Sequence, residues 1–287
     1  MLTVKDLRKN YGEKEVLKGI SFTAHEGQIT SLLGSNGSGK TTMFRIIMNL
    51  LEADHGRVLY NNRPLKRNIT GYLPEERSMY YDVKVDVQLR HFGHLKGMSD
   101  ALLDKELEKW YRITGTFQYK DALPVHLSKG NLQKIQLIMA LLHDPRVVIL
   151  DEPWTALDEN NIALFQKILL QQKRKDKVII LSSHQYQTVQ EICDRFMYLH
   201  KGRLAINVTA EQLKNDPYRV LTVEHRQGIY LAENTVISQR KEGRYMKYVV
   251  AGERQAYELV KMLMSINEAV SFTERPLTIN DLIEVLR

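Results

Sequence analysis

The chain has 287 residues, 43% hydrophobic and 26% charged, with a formal net charge of +7 and a pI near 9.2. That is an ordinary globular composition, with room for one large domain and a smaller one and enough apolar residues for a packed core. The single Cys193 excludes an internal disulfide and fits a reducing compartment. No apolar run reaches the roughly 18 to 20 residues that a bilayer-crossing helix needs, and Met1-Leu-Thr-Val-Lys5 lacks a basic-then-apolar leader, so a cytoplasmic location is expected.

Leu2 to Leu7 alternates apolar and polar and predicts a strand, and Val16 to Phe22 predicts a second beyond the turn Arg8 to Gly12. Tyr11 stands just before that second strand and on its own reads as a packing residue. The turn Glu26-Gly27 leads into the apolar run Gln28 to Leu33, read as a buried strand, and Thr41 to Leu51 reads as a helix. Between them lies Gly34-Ser35-Asn36-Gly37-Ser38-Gly39-Lys40-Thr41-Thr42, which meets the pattern G-x-x-x-x-G-K-[ST]. Its three glycines let successive N–H groups turn toward phosphate oxygens at the positive end of the following helix. Lys40 adds a point charge for β- and γ-phosphates, and Thr41 offers a hydroxyl to Mg²⁺. A chance glycine turn before a helix would not require the Lys-Thr pair, so this is a nucleotide site.

Asp54-His-Gly56 breaks the pattern, Arg57 to Tyr60 makes a short strand, Asn61-Asn62 a turn and Ile69 to Leu73 another strand. From Glu75 to His143 the periodicity turns helical, over Val85 to His94, Ser99 to Tyr111 and Gly130 to Leu142, which predicts an all-helical insertion. Trp110-Tyr111 within it reads as a packed aromatic pair. Val147 to Leu150 is wholly apolar, as in the central strand of a parallel sheet, and Asp151-Glu152 follow at the edge where open α/β sheets bind ligands. Asn160 to Lys173 predicts a helix, Lys177 to Leu181 a strand, and Ser182-Ser183-His184 ends that strand on the same edge. A helix over Gln185 to Ile192, a strand over Arg195 to His200, a turn at Lys201 to Arg203 and a strand over Leu204 to Val208 complete this part.

Asp216-Pro217 marks a boundary. Strands over Tyr218 to Val223, Arg244 to Val250 and Ala269 to Glu274, a helix over Glu253 to Ser265 and a capped terminal helix from Thr278 predict a small α+β module for contacts or regulation. The basic clusters Arg63/Lys66/Arg67 and Lys173 to Lys177 read as solvated faces of a turn and a helix end rather than a nucleic-acid or membrane site.

Taken together these motifs resemble the ATP-binding subunit of an ATP-binding-cassette (ABC) transporter over residues 1–215, with a helical subdomain at about 75–143 and an extension at 216–287. Gly34 to Thr42 resembles the Walker A loop, and Val147 to Glu152 the Walker B strand with its following glutamate. Leu127-Ser128-Lys129-Gly130 resembles the family signature, Thr155-Ala-Leu-Asp158 the D-loop, and His184 the switch histidine. The resemblance implies a P-loop α/β cassette with a mixed sheet core, an antiparallel β subdomain and a helical subdomain. It implies ATP hydrolysis with Mg²⁺: Tyr11 stacking on adenine, Asp151 holding the metal through water, Glu152 polarising the attacking water and His184 near the γ-phosphate. Ser128 and Gly130 would contact the γ-phosphate held by a second ATPase subunit, identical or not, and Asp158 of the D-loop would be a nucleotide-site residue.

Lys129 stands where the signature usually has its first glycine, Asn131 where it has glutamine, and Glu75 where the family usually has a metal-linked glutamine. A carboxylate at Glu75 can reach Mg²⁺ but cannot donate a hydrogen bond. Gly71-Tyr-Leu-Pro-Glu-Glu-Arg77 and Lys129 resemble drug, antimicrobial-peptide and sodium exporters, which implies export through a separate multi-span permease, the chain being peripheral on the inner face of the membrane. The segment Glu75 to Tyr81 would lie nearest that permease. The competing reading is a soluble cassette ATPase acting on the ribosome or DNA. Nucleic acid is disfavoured as a partner, because such proteins carry two cassettes or a long coiled coil and this chain has one cassette with a short helical insertion.

Overall fold

A computed structural model describes residues 1–76, 78–225, 230–232, 235–266 and 268–285, so Arg77 of the exporter-like segment lies outside the described residues. Two compact units emerge, Met1–Asn207 and Val208–Arg287, dividing ahead of the Asp216-Pro217 turn.

In the first unit, strands β1 (Leu2–Tyr11) and β2 (Lys14–Ala24) form a hairpin, and β3 (Gln28–Leu33) feeds the glycine loop. Helix α1 (Lys40–Ile47) follows, then β4 (His55–Tyr60), β5 (Arg63–Pro64) and β6 (Thr70–Leu73). The helical block comprises α2 (Val85–Leu95), α3 (Asp100–Thr114) and α4 (Lys129–Leu141). The remainder is β7 (Val147–Leu150), α5 (Glu159–Lys173), β8 (Val178–Ser183), α6 (Tyr186–Ile192), β9 (Arg195–His200) and β10 (Arg203–Thr209).

A four-stranded antiparallel sheet has the order β2-β1-β4-β5, and a six-stranded sheet the order β10-β9-β3-β8-β7-β6. The ladders from β9 through β3, β8 and β7 to β6 are all parallel. Strand β3 therefore lies beside β8, and β8 beside β7, in a register that pairs Leu33 with Ser183 and Leu150 with Leu181. Every strand of this central run ends on the same edge, which brings the glycine loop, Asp151, Glu152 and Ser182 together.

Helix α1 explains why both sheets share one core. Met43, Phe44, Ile46 and Ile47 are all buried, and they pack with Leu2, Leu7 and Phe22 of the antiparallel sheet and Leu32, Ile149 and Ile180 of the parallel one. A short helix apolar around most of its circumference fits only between two layers. Each such side chain contributes about 1.5–3 kcal/mol on burial. The helix is shorter than the predicted Thr41 to Leu51, because Asn49 turns left-handed at φ 55° and the N–H groups of Leu50 and Leu51 both turn back to the Arg45 carbonyl. Against expectation, His55 and Gly56 belong to β4; Gly56, at φ 91°, sits where a Cβ would lie 2.3 Å from the Asp6 carbonyl oxygen. Gly71 likewise lets β6 touch α4, since a Cβ there would lie 2.0 Å from the Ala140 carbonyl oxygen.

Trp110 and Tyr111 are buried in the helical block, as their packing role requires. The basic run at Lys173 to Lys177 is not uniformly solvated: the Lys177 side chain is 2% exposed and its ammonium meets Asp144 at 2.6 Å.

The second unit holds α7 (Ala210–Lys214), whose Thr209 and Gln212 form a reciprocal capping box. An antiparallel sheet follows, built from β11 (Arg219–His225), β12 (Ser238–Glu242), β13 (Tyr245–Val250) and β14 (Ala269–Pro276) in the order β12-β13-β11-β14. Helix α8 (Glu253–Ser265) covers one face with Ala256, Leu259, Val260 and Leu263. Helix α9 (Ile279–Val285) is tied down by Asp281, which is 1% exposed and bonds Arg275 at 2.6 and 2.8 Å and Lys247 at 3.0 Å.

Candidate active site

Between β3 and α1 the loop leaves Ser35, Asn36 and Gly37 exposed and buries Ser38, Gly39 and Lys40. Gly39 caps α1 at φ 109°, and no side chain bonds the first-turn amides and no acidic residue occupies that turn. The helix thus presents free N–H donors and its positive end to the loop. Lys40 Nζ donates to the carbonyl oxygens of Gly34 at 2.8 Å and Ser35 at 3.3 Å, which bends the buried ammonium over the loop it follows.

A cavity of about 430 Å³ opens here. It is lined by Tyr11, Lys14 and Val16 of the first hairpin, by Asn36, Gly37 and Gly39–Thr42 of the loop, and by Glu75. The structure therefore gathers Tyr11, Lys40, Thr41, Thr42 and Glu75 around one space, although they come from three separate segments. Lys14 and Val16 escaped the sequence reading; their i, i+2 spacing on a strand beside Tyr11 was the available signal.

Beyond β7 the two carboxylates occupy different surroundings. Asp151 is fully buried; its Oδ1 accepts from Ser182 Oγ at 2.5 Å, and its Oδ2 is buried with no hydrogen-bond partner among the described residues. Glu152 has a left-handed backbone at φ 49°, and its N–H donates to Ser182 Oγ at 2.8 Å. Its Oε2 accepts from His184 twice, from ring Nδ1 at 2.9 Å and from the backbone N–H at 3.3 Å. Burial pushes the Glu152 carboxyl above the usual range, opposed by the nearby His184 and Lys40 charges. The result is a carboxylate with heightened basicity, aimed by a histidine and within the field of the loop lysine.

Ser128, Gly130 and Asp158 do not line the cavity. Ser128 is an exposed cap on α4, its Oγ accepting the Asn131 N–H at 3.2 Å, and Asp158 caps α5 by accepting the Asn161 N–H at 2.9 Å. The two turns adjoin: a Cβ on Gly130 would lie 3.5 Å from the Ala156 carbonyl oxygen and 3.8 Å from Leu157 Cδ2. They form a second locus on the same unit.

The family model for ABC transporters matches residues 17–155. An uncharacterized ABC transporter ATP-binding protein of Methanocaldococcus jannaschii, MJ1023, is 42% identical over 202 residues, covering 70% of this chain and 75% of that protein. YhaQ of Bacillus subtilis, another uncharacterized ABC transporter ATP-binding protein, is 38% identical over 75% of this chain and 73% of its own length. Among solved structures, an ATP-binding subunit of an ABC transporter superposes with a TM-score of 0.71 at 31% identity, covering 75% of this chain and 92% of that one. Among the described residues no helix is long and apolar enough to cross a membrane. With that geometry and those relatives, the chain belongs to the ATP-binding subunits of ABC transporters, P-loop cassette ATPases that bind and hydrolyse ATP.

Proposed function

We propose that this chain powers export through a separate membrane permease, binding to the permease's inner face as one of two ATPase subunits. The observation that carries the chemical part is the convergence of Lys40, Asp151 and the Glu152–His184 pair on one sheet edge.

In this reading Tyr11, 48% exposed at the cavity mouth, stacks on adenine. The N–H groups of Ser35 to Thr42 and the Lys40 ammonium hold the phosphates. Nucleotide phosphate draws Lys40 from the Gly34 and Ser35 carbonyls toward a stronger, charged acceptor. Glu152 accepts a hydrogen bond from water and holds its oxygen in line with the γ-phosphorus, and His184 positions Glu152 and reaches the transferred group. Thr41, Asp151 and Glu75 would hold Mg²⁺, and the fit rests on Asp151 Oδ2, a buried oxygen that has no partner among the described residues. The metal would neutralise charge on the β- and γ-phosphate oxygens.

Ser128, Gly130 and Asp158 complete the site of a second subunit. The exposure of Ser128 and Asp158 and the separation of all three from this chain's own cavity support that role. Permease docking draws support from an apolar groove of about 360 Å³ between β6 and the helical block, with Leu50, Tyr72, Phe92 and Met139 in its walls and Lys96 and His143 as polar groups. The export direction rests on the likeness of Gly71 to Glu76 and Lys129 to exporter subunits.

Purified wild-type chain should hydrolyse ATP with a rate per subunit that rises with protein concentration, while Ser128→Arg binds ATP normally and turns over about a hundredfold more slowly. A concentration-independent rate, with Ser128→Arg fully active, would remove the shared site from this reading.

A further inference from the structure

We infer that Ser182 is a positioning residue that sets the working geometry of Asp151 and Glu152 together. Nothing in its neighbourhood on the chain announces this role, because the contact spans adjacent parallel strands, 31 residues from Asp151 in sequence. The register places Leu181 beside Leu150, so the next residue of each strand, Ser182 and Asp151, emerges side by side at the sheet edge.

The hydrogen bonds through Ser182 have only one possible direction. A backbone N–H can only donate, so the Glu152 amide at 2.8 Å uses the serine oxygen as acceptor. The hydroxyl has a single proton, and Asp151 Oδ1 at 2.5 Å receives it. Ser182 is fully buried, so no water competes for either bond.

Two consequences follow from that relay. Oδ1 is occupied, so the Asp151 oxygen left for a ligand is Oδ2, which is buried and without a partner among the described residues. The carboxylate is held in the one rotation that leaves it so. The Glu152 backbone, meanwhile, sits at φ 49°, a conformation that a non-glycine residue keeps only when its surroundings over-determine it. The bond to Ser182 is one such constraint and the His184 bonds to the side chain are another. One buried hydroxyl therefore aligns the metal-facing oxygen and the water-facing carboxylate.

The inference rests on the reading of Asp151 as a donor to the nucleotide-bound metal, and the test separates the two. Mn²⁺ binding is measured by electron paramagnetic resonance in the presence of a non-hydrolysable ATP analogue, beside ATP affinity in EDTA and kcat. Ser182→Ala should weaken Mn²⁺ binding and lower kcat, each about tenfold or more, with ATP affinity in EDTA within about twofold of wild type, and Ser182→Thr should restore both. Ser182→Cys keeps the volume with a much weaker donor and should match Ser182→Ala, which guards against a cavity effect. Wild-type Mn²⁺ affinity and kcat in Ser182→Ala, alongside loss of Mn²⁺ binding in Asp151→Asn, would overturn the inference while leaving Asp151 as a donor. Unchanged Mn²⁺ binding in Asp151→Asn would overturn the donor reading and the inference with it.

Discussion

Replacing His184 by alanine tests how the Glu152 carboxylate is tuned. Glu152 can only accept when ionised, so the 2.9 Å contact requires the proton on His184 Nδ1. A hydrogen bond to a charged group contributes about 1.5–3 kcal/mol, and because the His184 side chain is 61% exposed the low end applies. About 1.4 kcal/mol corresponds to a tenfold change in the protonation equilibrium of Glu152. The sign follows from burial, which already raises the carboxyl above its usual range. Water activation needs the ionised form, so turnover falls as pH drops through that raised value. Removing the imidazole leaves burial less opposed and moves the acid limb to higher pH. The assay is kcat against pH over about 5 to 9 for wild type and His184→Ala at saturating ATP. On the acid limb the variant should lose about tenfold more activity than at the alkaline end, where only the loss of the imidazole's contact with the transferred group remains. Superimposable profiles, or a loss of equal size at every pH, would refute the argument that His184 acts through Glu152.

Three further outcomes follow. Gly39→Ala should weaken ATP binding about tenfold by calorimetry, because Gly39 holds φ 109° and a Cβ would lie 2.8 Å from Leu17 Cδ2 and 3.2 Å from the Val16 carbonyl oxygen. Tyr11→Ala should raise the KM for ATP about tenfold with kcat little changed, while Tyr11→Phe keeps the ring and stays near wild type. Asp281→Ala should destabilise the second unit by about 1–3 kcal/mol in denaturant unfolding, since it removes the buried acceptor of the partly exposed Arg275, while Lys247 keeps Glu284 at 2.9 Å. Burial alone would raise the Asp281 carboxyl, but the bonds from Arg275, Thr278 and Lys247 outweigh it and hold it far below the usual range. That stabilisation is present at neutral pH and is lost on acidification as pH falls below the ordinary carboxylate range.

Much of the fold was readable because its signals are local. The strand Gln28 to Leu33, the strand Val147 to Leu150 and the helix Glu253 to Ser265 fall at the residues their apolar patterns mark. Strand β12 was missed because Ser238–Glu242 is an edge strand with no buried residue, so no alternation marks it. Helix α7 was missed although Thr209 and Gln212 spell a capping box, because five residues are too few to show a period. In the site, the loop residues were legible from spacing alone, whereas the contact of Ser182 with Asp151 depends on which strands lie side by side, and strand order is invisible to local pattern.

The most direct test of the mechanism is Glu152→Gln, which keeps the shape of the side chain and removes its capacity as a base. ATP affinity should stay within about twofold of wild type and turnover should fall by about a thousandfold or more. Glu152→Gln hydrolysing ATP at the wild-type rate would contradict the assignment of the attacking water to Glu152.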